Sequence, residues 1–166
     1  MNTSNPKFKL IIGLGNPDKN YENTYHNVGH LFIDYLESQK SDVKSQMLKS
    51  NVYMNESGKF VSKEMKKSGA KPEELLVVHD DSDIEIGNYK LSFNRGAAGH
   101  HGIESIMATI KKNNFWRLRI GIRPKQKEGA ERLKAEKFVL KKISTADKKI
   151  LEGVFEKANV YIKKAA

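Results

Sequence analysis

Two short stretches hold the residue types that move protons. "HDDSD", residues 79–83, sets His79, Asp80, Asp81 and Asp83 directly after the apolar run 75–78, and "GLGNPDKNYENTYHNVGH", residues 13–30, sets Asn16, His26 and Asn27 after a second apolar run at 10–12. "YMNESG" adds Met54 and Asn55, and "GAAGHHG" adds His100 and His101, each just before a stretch of helical spacing. Two chemistries fit these residues. One is metal-assisted hydrolysis with His79, Asp80, Asp81 and Asp83 as ligands. Adjacent Asp80 and Asp81 on a strand point to opposite sides, however, so only part of that set faces one ion. The other is metal-free general-base catalysis, in which an aspartate holds a histidine in one tautomer and the histidine takes a proton from water. The many asparagines favour the second, because an amide does not titrate yet offers donor and acceptor together for fixing a peptide or ester group. Taken singly, each carboxylate suits a turn or helix cap and each histidine a structural hydrogen bond.

A strand followed by Gly-x-Gly also opens dinucleotide-binding turns. Here Gly13 and Gly15 lead into Asn16-Pro17-Asp18, so the third glycine of that fingerprint is absent. Pro17 further removes a backbone N–H where a pyrophosphate would need one.

The elements that must position these residues are legible in the apolar spacing. Lys7 to Leu14 reads as a strand, followed by helical spacing at Val28, Leu31, Phe32, Tyr35 and Leu36. A second helix is expected from about Ser57, ended by Ser68-Gly69. "LLVVHDD" reads as a buried strand, "YKLSF" as a short one, Ile103 to Ile110 as a helix opened by Gly102, and "WRLRIGI" as a further strand. A final helix starts at Ser144 or Thr145. Residues 37–52 are polar with one short strand near Gln46 to Leu48, and residues 125–137 are charged enough to be a mobile segment or a surface helix. The alternation predicts an α/β fold: one domain over residues 1–166, a central mixed twisted sheet with helices on both faces. Chemistry in such sheets sits at the strand ends, where the four polar loops fall.

Composition narrows the partners. The 166-residue chain has no cysteine, which excludes disulfides and thiolate metal sites, and five histidines. The start, MNTSNPKFKL, lacks a signal-peptide apolar stretch and no 18-residue apolar run occurs, so a soluble cytoplasmic protein is expected. Of the net charge of +10, +9 lies between Lys111 and Lys142, where twelve Lys or Arg face three acids. This predicts a polyanion footprint over a merely solvated lysine-rich face. In "WRLRIGIRP" the alternation puts Trp116, Leu118, Ile120 and Ile122 on one face and Arg117, Arg119 and Arg123 on the other, a row of guanidiniums suited to phosphates.

The motifs, in this order, resemble those of bacterial peptidyl-tRNA hydrolases. "IIGLGNPDKNYENTYHNVGHLFIDYL", "YMNESGKFV", "LLVVHDDSDIEIGNYKLSF", "GHHGIESI" and "FWRLRIGI" follow the family's G-L-G-N-P-G-x-x-Y-x-x-T-R-H-N-x-G, F-M-N-x-S-G, H-D-(D/E)-x-D-x-x-x-G, G-G-H-N-G and F-x-R-(L/V)-(R/K)-(I/V)-G-(I/V), from about residue 8 to the final helix. The resemblance implies hydrolysis of the ester between a peptide and the 3′ ribose of tRNA, with no metal or organic cofactor. It implies His26 as the catalytic histidine and Asp80 as its supporting carboxylate. Asn16 and Asn55 would line the peptide-ester site together with Tyr21, Met54, His100 and His101. The tRNA phosphates would fall to Lys90, Arg95, Arg117, Arg119 and Arg123. Peptidyl-tRNA is the implied partner of a monomer with no obligate protein partner and no membrane attachment. The rival within the same fold is a non-catalytic RNA-binding relative, whose mark would be loss of His26, Asp80 or the asparagines. All are present.

The chain departs from the pattern in several places. His101 replaces an asparagine of the substrate site, Tyr25 replaces the arginine before the catalytic histidine, and Asp18 replaces the glycine after Asn-Pro. The connection from Asp34 to Asn55 is shorter by about one β-hairpin, around 37–52, which should trim the sheet and open one side of the cleft.

Overall fold

Strand β1, Leu10–Gly13, is buried along its whole length, and its alternating side chains divide the core. Leu10 and Ile12 enter one hydrophobic cluster and Ile11 the other, as a sheet covered on both faces requires. The structure, a computed structural model, describes residues 5–40 and 43–165. Residues 1–4, two positions of the shortened segment (41–42) and residue 166 lie outside the described residues.

Helix α1, Val28–Ser38, crosses back to β2, Gln46–Lys49, which pairs in parallel with β1. Helix α2, Ser57–Ser68, leads to β3, Leu75–Glu85, parallel to the other side of β1. The edge strand β4, Tyr89–Phe93, helix α3, His101–Ile110, strand β5, Trp116–Arg123, and helix α4, Thr145–Ala165, complete the chain. The sheet order is β2-β1-β3-β5-β4, with only β4 antiparallel to its neighbour. The mixed sheet and the two helical layers are thus as the sequence predicts. Phe32, Phe155, Leu118 and Ile120 pack on one face; Val61, Ile103, Ile106 and Phe115 pack on the other.

Local chemistry accounts for the helix ends. Gly69 stops α2 in the left-handed conformation with φ 69°, where a side chain is disfavoured. Ser144 accepts the Asp147 N–H at 3.1 Å before α4, the N-cap expected there. The first strand is shorter than the apolar run suggests, and residues 125–137 form a loop with one 3-10 turn, Ala135–Lys137, in place of a surface helix. Without apolar spacing this charged stretch has no face to bury, and its only side-chain anchors are polar.

The start of α1 lies unusually close to the sheet. A Cβ on Gly29 would stand 2.4 Å from the Val78 carbonyl oxygen and 2.6 Å from that of Leu14. Backbone cannot yield as a side-chain tip does, so Gly29→Ala must push α1 outward and carry His26, three residues earlier, with it. Urea unfolding should register a loss of about 1–3 kcal/mol, the usual cost of overpacking; an unchanged midpoint would mean that the helix start moves freely.

Candidate active site

Three separate chain segments deliver the two central side chains. β3 carries Asp80 to its C-terminal half, pointing to the opposite face from Asp81. His26 rides on the 3-10 turn Tyr25–Asn27, pinned from below by residues 139–143: its N–H donates to the Val139 carbonyl at 2.7 Å, and the Tyr25 N–H to that of Lys141 at 3.2 Å. The Tyr25 hydroxyl reaches Asp147 of α4 at 2.5 Å, so the residue in the arginine's place still ties the histidine turn to a carboxylate. His26 Nδ1 then meets Asp80 Oδ2 at 2.9 Å.

Asp80 has a second imidazole. His100 Nε2 lies 3.0 Å from Asp80 Oδ1, while His100 Nδ1 accepts the Ile103 N–H at the start of α3. A nitrogen that accepts from a backbone N–H is bare, so neutral His100 carries its proton on Nε2 and donates to Asp80. The carboxylate thereby receives one donor on each oxygen. Kept ionised by these two donors, the carboxylate accepts the hydrogen bond from His26 Nδ1, leaving Nε2 as the basic nitrogen of His26. Burial alone would raise the Asp80 carboxyl, but the two imidazoles hold it far below the ordinary carboxylate range. Burial pulls His26 down, and the charge and hydrogen bond of Asp80 outweigh it, so His26 is held above its usual 6.5.

A cleft of about 550 Å³ opens on His26, lined by Asn16, Tyr21, Tyr53, Met54, Asn55, Glu56 and His101. Six of the expected site residues, Asn16, Tyr21, His26, Met54, Asn55 and His101, are therefore brought together. Asn16 is held on three counts. Its N–H and carbonyl exchange 2.9 Å bonds with the Asn27 side chain, and its Oδ1 accepts the Met54 N–H at 2.9 Å. The Asn16 amide nitrogen is left to donate into the cleft. Asn27, 2% exposed, stands out in the sequence beside His26, but its role, clamping the Asn16 backbone, is seen only in the structure. His101 projects outward from the first turn of α3, its side chain 80% exposed and 3.4 Å from Glu104. His100 does not line this cleft: it faces a neighbouring hollow of about 320 Å³ beyond Asp80. Beside β2 a further hollow of about 420 Å³, lined by His30, Lys49 and Ser50, shares Asn16 with the cleft. Burial lowers His30 there to about 4.

The "HDDSD" carboxylates do not converge on an ion. His79 Nδ1 donates to the Asp80 carbonyl at 2.7 Å, Asp81 holds Arg119 at 2.8 Å, and Asp83 holds Arg132. His26, Asp80 and His100 do bring one ligand atom each within 4.8 Å of one another, but a metal there must first displace the protons that both imidazoles direct at Asp80.

The arginine row requires a correction. Arg117, Arg119 and Arg123 share a face as predicted, but the face is covered. Arg117 is 2% exposed and Arg119 4% exposed. Arg117 donates to the Gly96 carbonyl at 3.0 Å, and Arg119 to Asp81 and, at 3.1 Å, to Ser92. Half-buried Arg123 donates to the carbonyls of Ser82 and Leu133. Arg117 and Arg119 are thus spent on internal acceptors and cannot contact phosphate. Lys90 and Arg95, by contrast, are exposed.

A histidine backed by a buried carboxylate, opening on an amide-lined cleft, is the equipment of a water-activating hydrolase. A family model described as peptidyl-tRNA hydrolase matches residues 10–166, and the chain belongs to that family. It is 37% identical to the peptidyl-tRNA hydrolase of Aquifex aeolicus, with 90% of this chain and 85% of that one aligned. It is 38% identical to that of a Sulfurihydrogenibium species, over 91% and 87%. The crystal structure of the Acinetobacter baumannii peptidyl-tRNA hydrolase superposes with a TM-score of 0.83 at 29% identity, covering 98% of this chain and 90% of that one.

Two measurements follow from this geometry. Asp80→Asn removes the charge that raises His26, so burial prevails and the rise of kcat/KM with pH should shift to lower pH while its plateau falls; an unmoved profile between pH 5 and 9 would sever Asp80 from the base. Arg119→Ala strands Asp81 in the interior and should cost about 3–5 kcal/mol in urea unfolding. A variant as stable as the parent would restore the reading of Arg119 as a surface cation.

Proposed function

We propose that this chain cleaves the ester joining a peptide to the 3′-terminal ribose of tRNA by metal-independent general-base catalysis, with His26 as the base and Asp80 as its support. The observation that carries the reading is the 2.9 Å contact between His26 Nδ1 and Asp80 Oδ2 at the floor of the amide-lined cleft. His26 Nε2 takes a proton from water as the oxygen attacks the acyl carbon. The imidazolium so formed faces a carboxylate, which favours it. As the tetrahedral intermediate collapses, His26 returns the proton to the departing 3′ oxygen and the peptide leaves with a free carboxylate. The Asn16 amide is placed to donate to the acyl oxygen, and Asn55, across the cleft, to fix the adjoining peptide group. Tyr21, Met54 and His101 complete the substrate walls, and His100 contributes by holding Asp80.

Binding of tRNA is carried by the net charge of +10, with exposed Lys90 and Arg95 as the phosphate contacts. Both faces of one sheet being covered by helices supports reading residues 1–166 as a single domain. No helix among the described residues is long and apolar enough to cross a membrane. We read the chain as a monomer acting in the cytoplasm, where its substrate arises.

Release of a labelled N-blocked aminoacyl group from tRNA tests the mechanism. His26→Ala should cut kcat by about a hundredfold or more while tRNA binding stays nearly intact. Retention of over about a tenth of the rate would remove His26 from the role. Chelation with EDTA should leave the wild-type rate unchanged; its loss would move the chemistry to a metal held by His26, Asp80 and His100.

A further inference from the structure

Asp18 precedes the 3-10 turn Lys19–Tyr21, a position from which an aspartate ordinarily caps the first backbone N–H groups. Its side chain makes no such bond. It accepts instead a 2.7 Å hydrogen bond from the hydroxyl of Tyr53, 35 residues away. The contact links two turns that both line the catalytic cleft: Tyr21 follows Asp18 on one, and Met54 and Asn55 follow Tyr53 on the other. The Met54 N–H bond to Asn16 Oδ1 runs alongside it. The two segments are therefore stitched twice, once by a backbone N–H donating to the buried Asn16 side chain and once by a pair of exposed side chains.

Both partners are exposed, Tyr53 by 46%, and an exposed pair adds little to folding. Its meaning lies in where it sits. A free carboxylate at the rim of a cleft that receives a polyanion repels its substrate. The hydrogen bond ties the Asp18 charge to the Tyr53 hydroxyl and holds the phenol above the ordinary tyrosine range. Position 18 is also one where the chain leaves the family motif, which has glycine there, and the Tyr53 hydroxyl is the extra atom on a ring that the motif writes as phenylalanine.

We propose that Asp18 and Tyr53 form a strap across the rim of the cleft, positioning residues that set the gap between the Asn16 and Asn55 turns and hold the Asp18 charge off the path of the tRNA. This rests on the cleft being the peptidyl-tRNA site.

The test compares wild type, Tyr53→Phe and the double variant Tyr53→Phe/Asp18→Asn in two assays. One is ester release from N-blocked aminoacyl-tRNA, the other binding of an uncleavable 3′-amide-linked analogue. Tyr53→Phe deletes one oxygen and frees the carboxylate, so kcat/KM should fall about fivefold, chiefly through KM, the worth of one ordinary solvent-exposed hydrogen bond. The loss should shrink as salt rises, because the freed charge is screened, and adding Asp18→Asn should restore most of it. Analogue affinity should follow the same order. Tyr53→Phe behaving as wild type in both assays, or losing activity without relief from salt or from Asp18→Asn, would overturn the strap. Wild type that binds the analogue without cleaving the ester would overturn the hydrolytic reading instead, and analogue affinities across the variants would still decide the strap.

Discussion

The site is organised around one buried negative charge. Asp80 has 3% of its side chain exposed, and an ionised carboxylate so far from water is costly unless donors surround it. Two imidazoles supply them, one per oxygen. Everything else in the neighbourhood serves to bring those rings there: the 139–143 stretch pins the His26 turn from one side, and the first turn of α3 presents His100 from the other. Because the Ile103 N–H fixes the tautomer of His100, the proton pattern of the whole group is settled by a helix end. The base is thus set up by backbone geometry two residues removed from any reacting atom.

A second carboxylate one position along β3 does the structural counterpart of this work. Strand alternation sends Asp81 to the other face, where it meets Arg119 in the interior. One dipeptide therefore anchors a proton-transfer site on one side of the sheet and a buried ion pair on the other. Beside that pair, His79 Nε2 and Arg117 Nε are both buried without a hydrogen-bond partner. Burial, His100 and the nearby Arg117 charge push His79 well below the ordinary histidine range, so it stays neutral next to the active carboxylate and adds no competing cation.

Much of this was legible in the sequence. Apolar spacing located the helices and the central strands, and the rule that neighbours on a strand face opposite ways separated the duties of Asp80 and Asp81. What spacing does not carry is the identity of the cover. Arg117 and Arg119 share a face, as their alternation says, but whether that face meets water depends on the 94–99 loop and on Asp81, both far away in the chain. The partner of His100 was hidden for the same reason: a histidine at a helix start suits substrate or structure equally until the carboxylate 20 residues earlier is seen beside it. Asn27 is visible beside His26, but its work, clamping the backbone of Asn16, leaves no chemical signature in residue type.

β2 lies at the margin of the sheet, with an outer row of backbone N–H and C=O groups and no strand beside it among the described residues. Such a margin is a template on which a second chain can add a strand. β2 limits the exposure by its length, four residues, and by ending on Lys49, whose ammonium is paired with Asp34 of α1 at 2.7 Å. The opposite margin, β4, carries exposed Lys90. An incoming strand would have to desolvate a lysine at either side for a short ladder, so both margins are poor templates although each lacks a neighbouring strand among the described residues.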